Sequence, residues 1–217
     1  MLGTVVTFDN SAELELQQRI CKAWRAFLKH KHILCCRTAP IPERLKLLQS
    51  LVGTTLFWCS GSWNLTVKQV SRLMGAQQAM LRKMLPLRKR PLESDEKLME
   101  RTGAFIKLAK SNSGFTDFDS FYFRQIFTWA GHLVRMKEYD ENRMTSRVFC
   151  FRNSKWIKDR AAKNSGNQMH GRKVAVWRWE QRFDKFFGNI SWQETAQSRC
   201  SWHSRLEEFV RRRQSGR

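Results

Sequence analysis

Four side chains that can bind zinc lie close together near the end of the first predicted helix: His30, His32, Cys35 and Cys36. Structural zinc sites usually take their ligands as two separated pairs on turns, because that arrangement closes a tetrahedron. Here all four crowd onto one helix end. We therefore interpret them as a helix terminus with buried cysteines and predict no metal, with zinc as the open alternative. Cys200 and His203 have no second pair and form a weaker candidate.

Carboxylates that could hold catalytic metal ions are scarce. Asp117 and Asp119 are the one pair of aspartates at a spacing of two, whereas a two-metal polymerase site needs converging carboxylates. The pair precedes a predicted helix, so we expect it to cap free N–H groups there. The sequence contains no P-loop, dinucleotide, nucleophile-elbow or metalloprotease motif. We predict no catalytic residue and no cofactor.

Positive charge is the most prominent chemical feature, since 40 Lys and Arg face 19 Asp and Glu, a formal net charge of +21. Residues 143–217 carry +12 of it and residues 1–142 carry +9. Clustered cations gain free energy on a polyanion by releasing its counterions. A solvated helix face is the alternative, but so large a surplus favours nucleic acid. The candidate binding residues in the two densest clusters are Arg82, Lys83, Arg88, Lys89, Arg90, Arg211, Arg212 and Arg213.

Composition excludes several classes of protein. Hydrophobic residues make up 41%, with 15 Phe and 9 Trp, which is too much large apolar surface for a disordered chain. The six cysteines are scattered and do not indicate a disulfide framework. The longest apolar stretch, residues 51–58, is far shorter than the ~20 residues of a membrane span. We expect an intracellular protein, nuclear or cytoplasmic, with no membrane partner.

Almost every segment has helical periodicity, so the predicted fold is mainly α, a helical bundle followed by further helices, with a short N-terminal strand or hairpin at residues 1–8. Asn10, Thr66, Ser94 and Ser191 are expected N-caps. Helical-stripe spacing favours core packing over base stacking for Trp24, Trp129, Trp179 and Trp192. The predicted helices cover residues 10–33, 42–56, 66–84, 94–110, 118–136, 143–162, 176–186 and 191–213. The predicted domains are 1–92, 93–162 with the WAGHLVRM motif, and 163–217 with a linker and basic C-terminal helices.

Several segments, in order, resemble the thumb and C-terminal region of non-LTR (LINE-like) retroelement reverse transcriptases. The opening MLGTVVTFD is similar to the hairpin after the palm, and RICKA at 19–23 to a helix that follows. The segment LLQSLVGTTLFWCSGSWNLT, starting at Leu47, and QAMLRKML at 78–85 resemble the thumb. WAGHLVRM at 129–136 resembles a downstream motif. The tail resemblance lies in Gly171, Arg172, Arg178, Trp179, Glu180, Trp192, Ala196, Arg199 and Trp202.

The resemblance implies a non-catalytic remnant that grips a template–primer duplex of RNA or DNA through its backbone. The family's catalytic Asp-Asp box lies upstream of the position that matches Met1. Leu2 and Gly3 match the primer-side hairpin; residues matching the later motifs, and so implied to contact nucleic acid, are His132, Arg135, Arg172, Lys173 and Arg178. For His132, a helix histidine bonded to backbone is the alternative. The chain also departs from the family pattern. Trp58-Cys59 stand where the thumb has Tyr-Gly, Ser62 stands where it has Glu, and the acidic pair after Glu180 is absent.

Three other interpretations stay open at this point. The chain could be a relic reading frame without function, which the altered thumb motif favours mildly. It could be a basic all-helical nucleic-acid-binding module unrelated to retroelements, although no tight helix-turn-helix turn follows Gly75. A polymerase would incorporate nucleotides with Mg²⁺, which we do not expect of these residues. The sequence leaves the oligomeric state unknown.

Overall fold

The computed structural model describes residues 12–85, 87–139 and 175–215, although the side chains of 137–139, 175–179 and 214–215 lie outside that description. These residues are mainly helical, which confirms the predicted fold class, and no strand occurs among them. The predicted strand or hairpin at 1–8, the cap Asn10, the helix at 143–162 and the linker at 163–171 lie outside the described residues.

The described helices fall into two compact units, and the longest helix contributes to both. The first unit contains the residues up to Ser60 and Leu65–Tyr122; the second contains Gly61–Asn64 and the residues from Phe123 onward. In chain order the helices are α1 (Glu13–Lys29), α2 (Lys31–Leu34), α3 (Ile41–Leu47), α4 (Thr54–Leu56), α5 (Val67–Met84), α6 (Asp95–Ser113), α7 (Phe118–Tyr139), α8 (Ala175–Phe187), α9 (Trp192–Gln197), α10 (Arg199–Ser204) and α11 (Leu206–Ser215).

Between α3 and α4 the chain widens into a π-helical turn, Leu48–Gly53. Hydroxyl groups here bond back to the helix, with Thr54 Oγ1 donating to the Ser50 carbonyl at 2.6 Å and Thr55 Oγ1 to the Leu51 carbonyl at 3.1 Å. Such bonds compete with the regular ladder and bend helices. The predicted apolar stripe nevertheless faces inward, since the fully buried residues of this stretch are Leu45, Leu48, Val52 and Leu56.

Helix α5 begins at the predicted capping box. The Thr66 hydroxyl accepts from the Gln69 N–H at 3.3 Å, and the Gln69 amide oxygen accepts from the Thr66 N–H at 2.8 Å. The other end of the Gln69 amide donates to Glu13 at 2.9 Å and so ties α5 to the start of α1. Val67 lies at helical spacing from the buried Val70 but is 76% exposed, because it occupies the first turn of α5 outside the face that packs.

A buried glutamine begins α7. Gln77 is fully buried; its amide oxygen accepts from the Phe118 N–H at 2.6 Å, and its amide nitrogen donates to Asp117 at 2.6 Å. The Asp117 carboxylate also accepts from Lys110 at 2.6 Å. The prediction that Asp117 caps this helix with its own side chain is therefore wrong. Gln77, 41 residues earlier in the sequence, satisfies the first free N–H instead.

The second unit has an aromatic core. Phe127 stacks on Trp202 with ring centroids 4.0 Å apart, and Phe183 stacks on Phe209 at 5.3 Å. Ser191 caps α9 as predicted. The single last helix that the sequence predicted is instead three, α9 to α11, because Ser198 is extended and caps a new helix. The four residues predicted to face inward there are buried: Trp192, Ala196, Leu206 and Phe209.

Gly131 allows α7 and α10 to approach closely. A Cβ built on Gly131 would collide with the Trp202 indole, lying 2.6 Å from its Cδ1. The indole N–H donates to the Phe127 carbonyl at 3.0 Å. One turn further along α7, Arg135 donates to the Ala196 carbonyl at 2.6 Å. The WAGHLVRM motif and the Trp192–Trp202 part of the tail therefore contact each other within one core.

Candidate nucleic-acid interface

Five of the predicted nucleic-acid-binding residues lie in one stretch of the first unit, which we call the basic segment (residues 82–90). Arg82 and Lys83 form the last turn of α5, and the other three follow in the loop before α6; all five are exposed. Lys89 pairs with Asp95 at 2.6 Å. The side chains of Arg82, Lys83, Arg88 and Arg90 form no ion pair with the described residues.

A buried arginine positions the start of the basic segment. Arg44 on α3 is 5% exposed, and its Nη1 donates to the Met84 carbonyl at 3.0 Å and to the Leu34 carbonyl at 3.4 Å. These carbonyls end α5 and α2, where the helix dipole concentrates negative charge. The Cys35 thiol completes the junction by donating to the Lys83 carbonyl at 3.5 Å. Arg44 therefore joins two helix ends through their carbonyl groups and does not pair with a carboxylate there. Its Nε has no hydrogen-bond partner among the described atoms.

The other helix end at this junction belongs to a stretch without acidic residues. Residues 16–42 contain six Lys and Arg and no Asp or Glu. Lys22, Arg25 and Lys29 lie three and four residues apart on α1 and thus share one helix face. Lys31 and Arg37 are exposed on either side of Cys35 and Cys36. Arg19 pairs with Glu15 and Lys89 with Asp95. The first unit therefore presents other cations without an ion pair among the described residues on both chain segments that meet at Arg44.

The loop half of the basic segment is held by an arginine–glutamate pair. The Arg101 guanidinium donates to both Glu93 oxygens at 2.8 Å and to the Arg88 carbonyl at 2.8 Å. Glu93 also accepts from the Arg90 N–H at 2.8 Å. The hydrogen bonds from Arg101, followed by that from Arg90, lower the pKa of Glu93 to about 2. At neutral pH the carboxylate therefore fixes the backbone after Lys89 through the Arg90 N–H, and Arg101 fixes it before Lys89 through the Arg88 carbonyl.

Two predicted residues of the second unit have different surroundings. His132 is exposed on α7, with its ring centroid 5.5 Å from that of Trp129. Arg135 is half-buried, and its guanidinium holds the Ala196 carbonyl near the end of α9. The geometry gives Arg135 a part in packing, whereas His132 faces solvent.

The arginine cluster at the end of α11 is partly engaged within the unit. Arg212 pairs with Glu208 at 2.6 Å and lies 5.3 Å from the centroid of the Phe186 ring. Arg213 is half-buried, donates to the Arg182 carbonyl and lies over the Phe209 ring. Burial, and secondly the charge of Arg182, lowers the pKa of Arg213. Arg211 is exposed. Arg172 and Lys173 lie outside the described residues, as does the side chain of Arg178.

The candidate zinc ligands take part in local hydrogen bonds. The Cys36 sulfur lies 3.0 Å from the Thr38 hydroxyl, which with the backbone N–H groups of Thr38 and Ala39 lowers the pKa of the thiol. Both cysteines are half-buried rather than fully buried. Within the described ranges, no three His, Cys, Asp or Glu side chains are grouped so that they could hold a metal ion.

None of the described helices combines the length and the apolar character that crossing a membrane requires. Comparison of the chain with models of protein families, with curated proteins and with solved structures finds no match.

Sequence reasoning located the exposed cations but missed the residues that position them. The sequence does not distinguish Arg44 from the other cations on helices, because the neighbouring residue types do not indicate that its side chain is buried. The sequence likewise does not distinguish Gln77 from the adjacent Gln78, so the burial of Gln77 could not be predicted. For Glu93 and Arg101, the spacing of eight residues predicts no helix pair, because the contact depends on the turn before α6. Pro91 is the signal for that turn, because proline favours the second position of a turn.

Proposed function

We propose that this chain binds the phosphate backbone of a template–primer duplex without sequence preference, as the thumb and C-terminal part of a non-LTR retroelement reverse transcriptase does, and adds no nucleotides itself. Its site of action would be intracellular, nuclear or cytoplasmic, as for any protein that handles such a duplex. The proposal assigns the holding of the duplex to cations of the first unit. It assigns no role to a metal or cofactor.

One observation carries the proposal: four exposed cations of the basic segment have no ion-pair partner among the described residues, and hydrogen bonds from Arg44 and Arg101 hold the backbone beside them. Lys89 of this segment is paired with Asp95. Among the described residues, no carboxylate forms such a pair with Arg82, Lys83, Arg88 or Arg90. Phosphates spaced along a duplex would neutralise them, and the displaced counterions would supply the free energy.

A second observation supports the resemblance to the retroelement thumb. Cys59 occupies the position at which the thumb motif has glycine, and its φ of 59° lies in the left-handed region that favours glycine. Gly61, two residues on, fits against Trp129, since a Cβ there would lie 2.7 Å from the tryptophan Cβ. The backbone therefore has the shape of a glycine-containing motif even where the side chain has changed.

The test is a salt series of binding to a DNA duplex and to a primed RNA template. We expect log K to fall linearly with log salt concentration, with a slope of about 0.9 for each phosphate contact on a B-form duplex. A variant with Arg82, Lys83, Arg88 and Arg90 all replaced by Gln should bind more weakly. Its salt slope should be shallower, by as much as the slope of one phosphate contact for each cation removed. Incorporation of nucleotides is measured in the same samples and should be absent.

The matched control removes four exposed lysines that lie outside the basic segment: Lys46, Lys68, Lys107 and Lys185, each to Gln. Both variants lose the same charge, so a non-specific attraction of a basic protein to a polyanion would weaken equally in both. An equal loss would contradict the assignment to the basic segment. Weak binding with no salt slope in the unmodified chain would overturn the proposed function as a whole.

A further inference from the structure

The loop of the basic segment continues into a tight turn that displays one fully exposed leucine. The Glu93 N–H donates to the Arg90 carbonyl at 3.1 Å and closes a four-residue turn with Pro91 second and Leu92 third. Leu92 has a φ of 61° and a relative exposure of 107%. Proline in the second position and a positive φ in the third are features of a type II turn, whose third residue is normally glycine or asparagine.

Leucine at this position is unfavourable in two ways. Its Cβ makes the left-handed conformation unfavourable, and its side chain buries no surface, so it gains nothing from the hydrophobic effect on folding. The brace formed by Glu93 and Arg101 nevertheless holds the turn in this conformation. A conformation kept against local preference at an exposed position indicates use by a partner.

The charges beside the turn identify the chemistry of that partner. Arg88, Lys89 and Arg90 directly precede Pro91, and no acidic side chain of this loop other than the bonded Glu93 comes before Asp95. The partner must therefore offer anionic groups around an apolar layer that one side chain can enter. A nucleic-acid duplex has that structure, with phosphates on both sides of stacked bases. Apolar wedges such as leucine and proline, flanked by Arg or Lys, are known to enter between base steps.

We propose that Leu92 is a wedge that enters a base step of the bound duplex, partly unstacking and bending it, while the cations of the basic segment hold the phosphates on either side. This inference rests on the proposed function and adds the mode of binding. The backbone contacts carry no sequence preference, and the wedge adds only a preference for easily unstacked pyrimidine–purine steps.

The test uses the full chain and a short DNA duplex of alternating TA steps in which 2-aminopurine replaces adenine on one strand. Unstacking raises the fluorescence of 2-aminopurine, and bending is followed by energy transfer between dyes at the two duplex ends. The unmodified chain should raise the fluorescence and bring the ends closer. Leu92→Gly should retain binding and its salt slope, because all cations remain, but should lose most of both signals.

Glycine suits the positive φ, so Leu92→Gly keeps the turn and a loss of signal cannot be ascribed to unfolding. Leu108→Ala is the matched control, since Leu108 is also exposed, at 59%, but lies on α6 away from the turn. It should behave as the unmodified chain does.

Equal signals from Leu92→Gly and the unmodified chain would overturn the wedge and leave the proposed function standing, as would salt-dependent binding with no fluorescence rise at all. Binding of anionic lipid vesicles that depends on Leu92, without any change in the duplex, would likewise overturn it in favour of a membrane surface. Absence of salt-dependent duplex binding would overturn both proposals.

Discussion

Two residues of the first unit, Cys59 and Leu92, adopt positive φ although neither is glycine. For residues with a Cβ this conformation costs roughly 1–2 kcal/mol. At Cys59 the resemblance explains the backbone, because glycine stands there in the thumb motif. At Leu92 the exposed side chain itself is what the proposed wedge requires. The same backbone strain therefore has a different origin at each site. Replacement by glycine distinguishes the two, because it should stabilise the fold at Cys59 and remove the wedge at Leu92.

Cys59→Gly should raise the free energy of unfolding by about 1 kcal/mol, because it removes the Cβ from a left-handed backbone position. Denaturant unfolding followed by circular dichroism measures the change. Cys59→Ala is the matched control, since it removes the thiol but keeps the Cβ, and should bring no gain. Equal stabilisation by both variants would show that the thiol, not the backbone, is the source of strain.

Gly131→Ala should destabilise the second unit by about 1–3 kcal/mol, because the added methyl group meets the Trp202 indole in a packed core. The change is measured as the shift in unfolding midpoint, and tryptophan fluorescence reports the displaced indole. Gly103→Ala on α6 is the control: a Cβ there meets nothing within 4 Å, and the helix should gain about 0.5–1 kcal/mol. Similar effects at the two positions would be evidence against the close approach at Gly131.

At the scale of elements, the features that could be predicted are those that depend on residues close together in the sequence. The capping box at Thr66 and the Ser94 cap depend on residues three apart, and both are present. Features that depend on tertiary contact were not predictable. Gln77 caps the start of a helix 41 residues away, and Arg44 joins two helix ends. The exposed half of the candidate site therefore follows from the sequence, whereas the half that positions it does not.

The brace at Glu93 predicts a pH dependence of the loop before α6. Because the folded pKa of about 2 lies below the ordinary value of 4.5, its stabilisation is complete above pH 4.5 and is lost as pH falls towards 2. Glu93→Gln should lower the unfolding temperature at pH 7, and the difference from the unmodified chain should shrink as pH falls through this window. Hydrogen exchange of the Arg90 N–H gives a local measure of the same change.

Glu100→Gln serves as the control for Glu93→Gln, since it removes the same charge from an exposed position on α6 that forms no ion pair with the described residues. Its effect should not change over the same pH range. A gap between Glu93→Gln and the unmodified chain that stays constant down to pH 2 would mean that the carboxylate bonds do not stabilise the loop.

At the scale of the whole molecule, a net charge of +21 on 217 residues opposes compaction by self-repulsion. The ion pairs of the described residues are mostly exposed and contribute little in return. A chain built in this way is expected to be most stable when its surface is neutralised. A polyanion would do so at the basic segment and at the cations of α1 together.

Unfolding temperature should therefore rise with salt between 0.01 M and 0.15 M, over which the Debye length falls from about 30 Å to about 8 Å. Thermal unfolding followed by circular dichroism measures this, with sucrose at matched osmolality as the control for non-ionic effects. The variant with four Gln in the basic segment should respond less to salt. A falling unfolding temperature would mean that ion pairs, which salt weakens, outweigh the self-repulsion.

The Arg44 junction also bears on the order in which the protein folds. Its bond to the Met84 carbonyl spans forty residues, and closing so long a loop costs entropy before any contact repays it. Helix α5 can begin to form from local contacts, whereas the four-residue α2 cannot persist alone, and the ends of the two helices meet only when that loop closes. The cations of the basic segment are therefore present in every conformation of the chain, while their arrangement arises late in folding. A nascent chain would attract polyanions before it could grip a duplex.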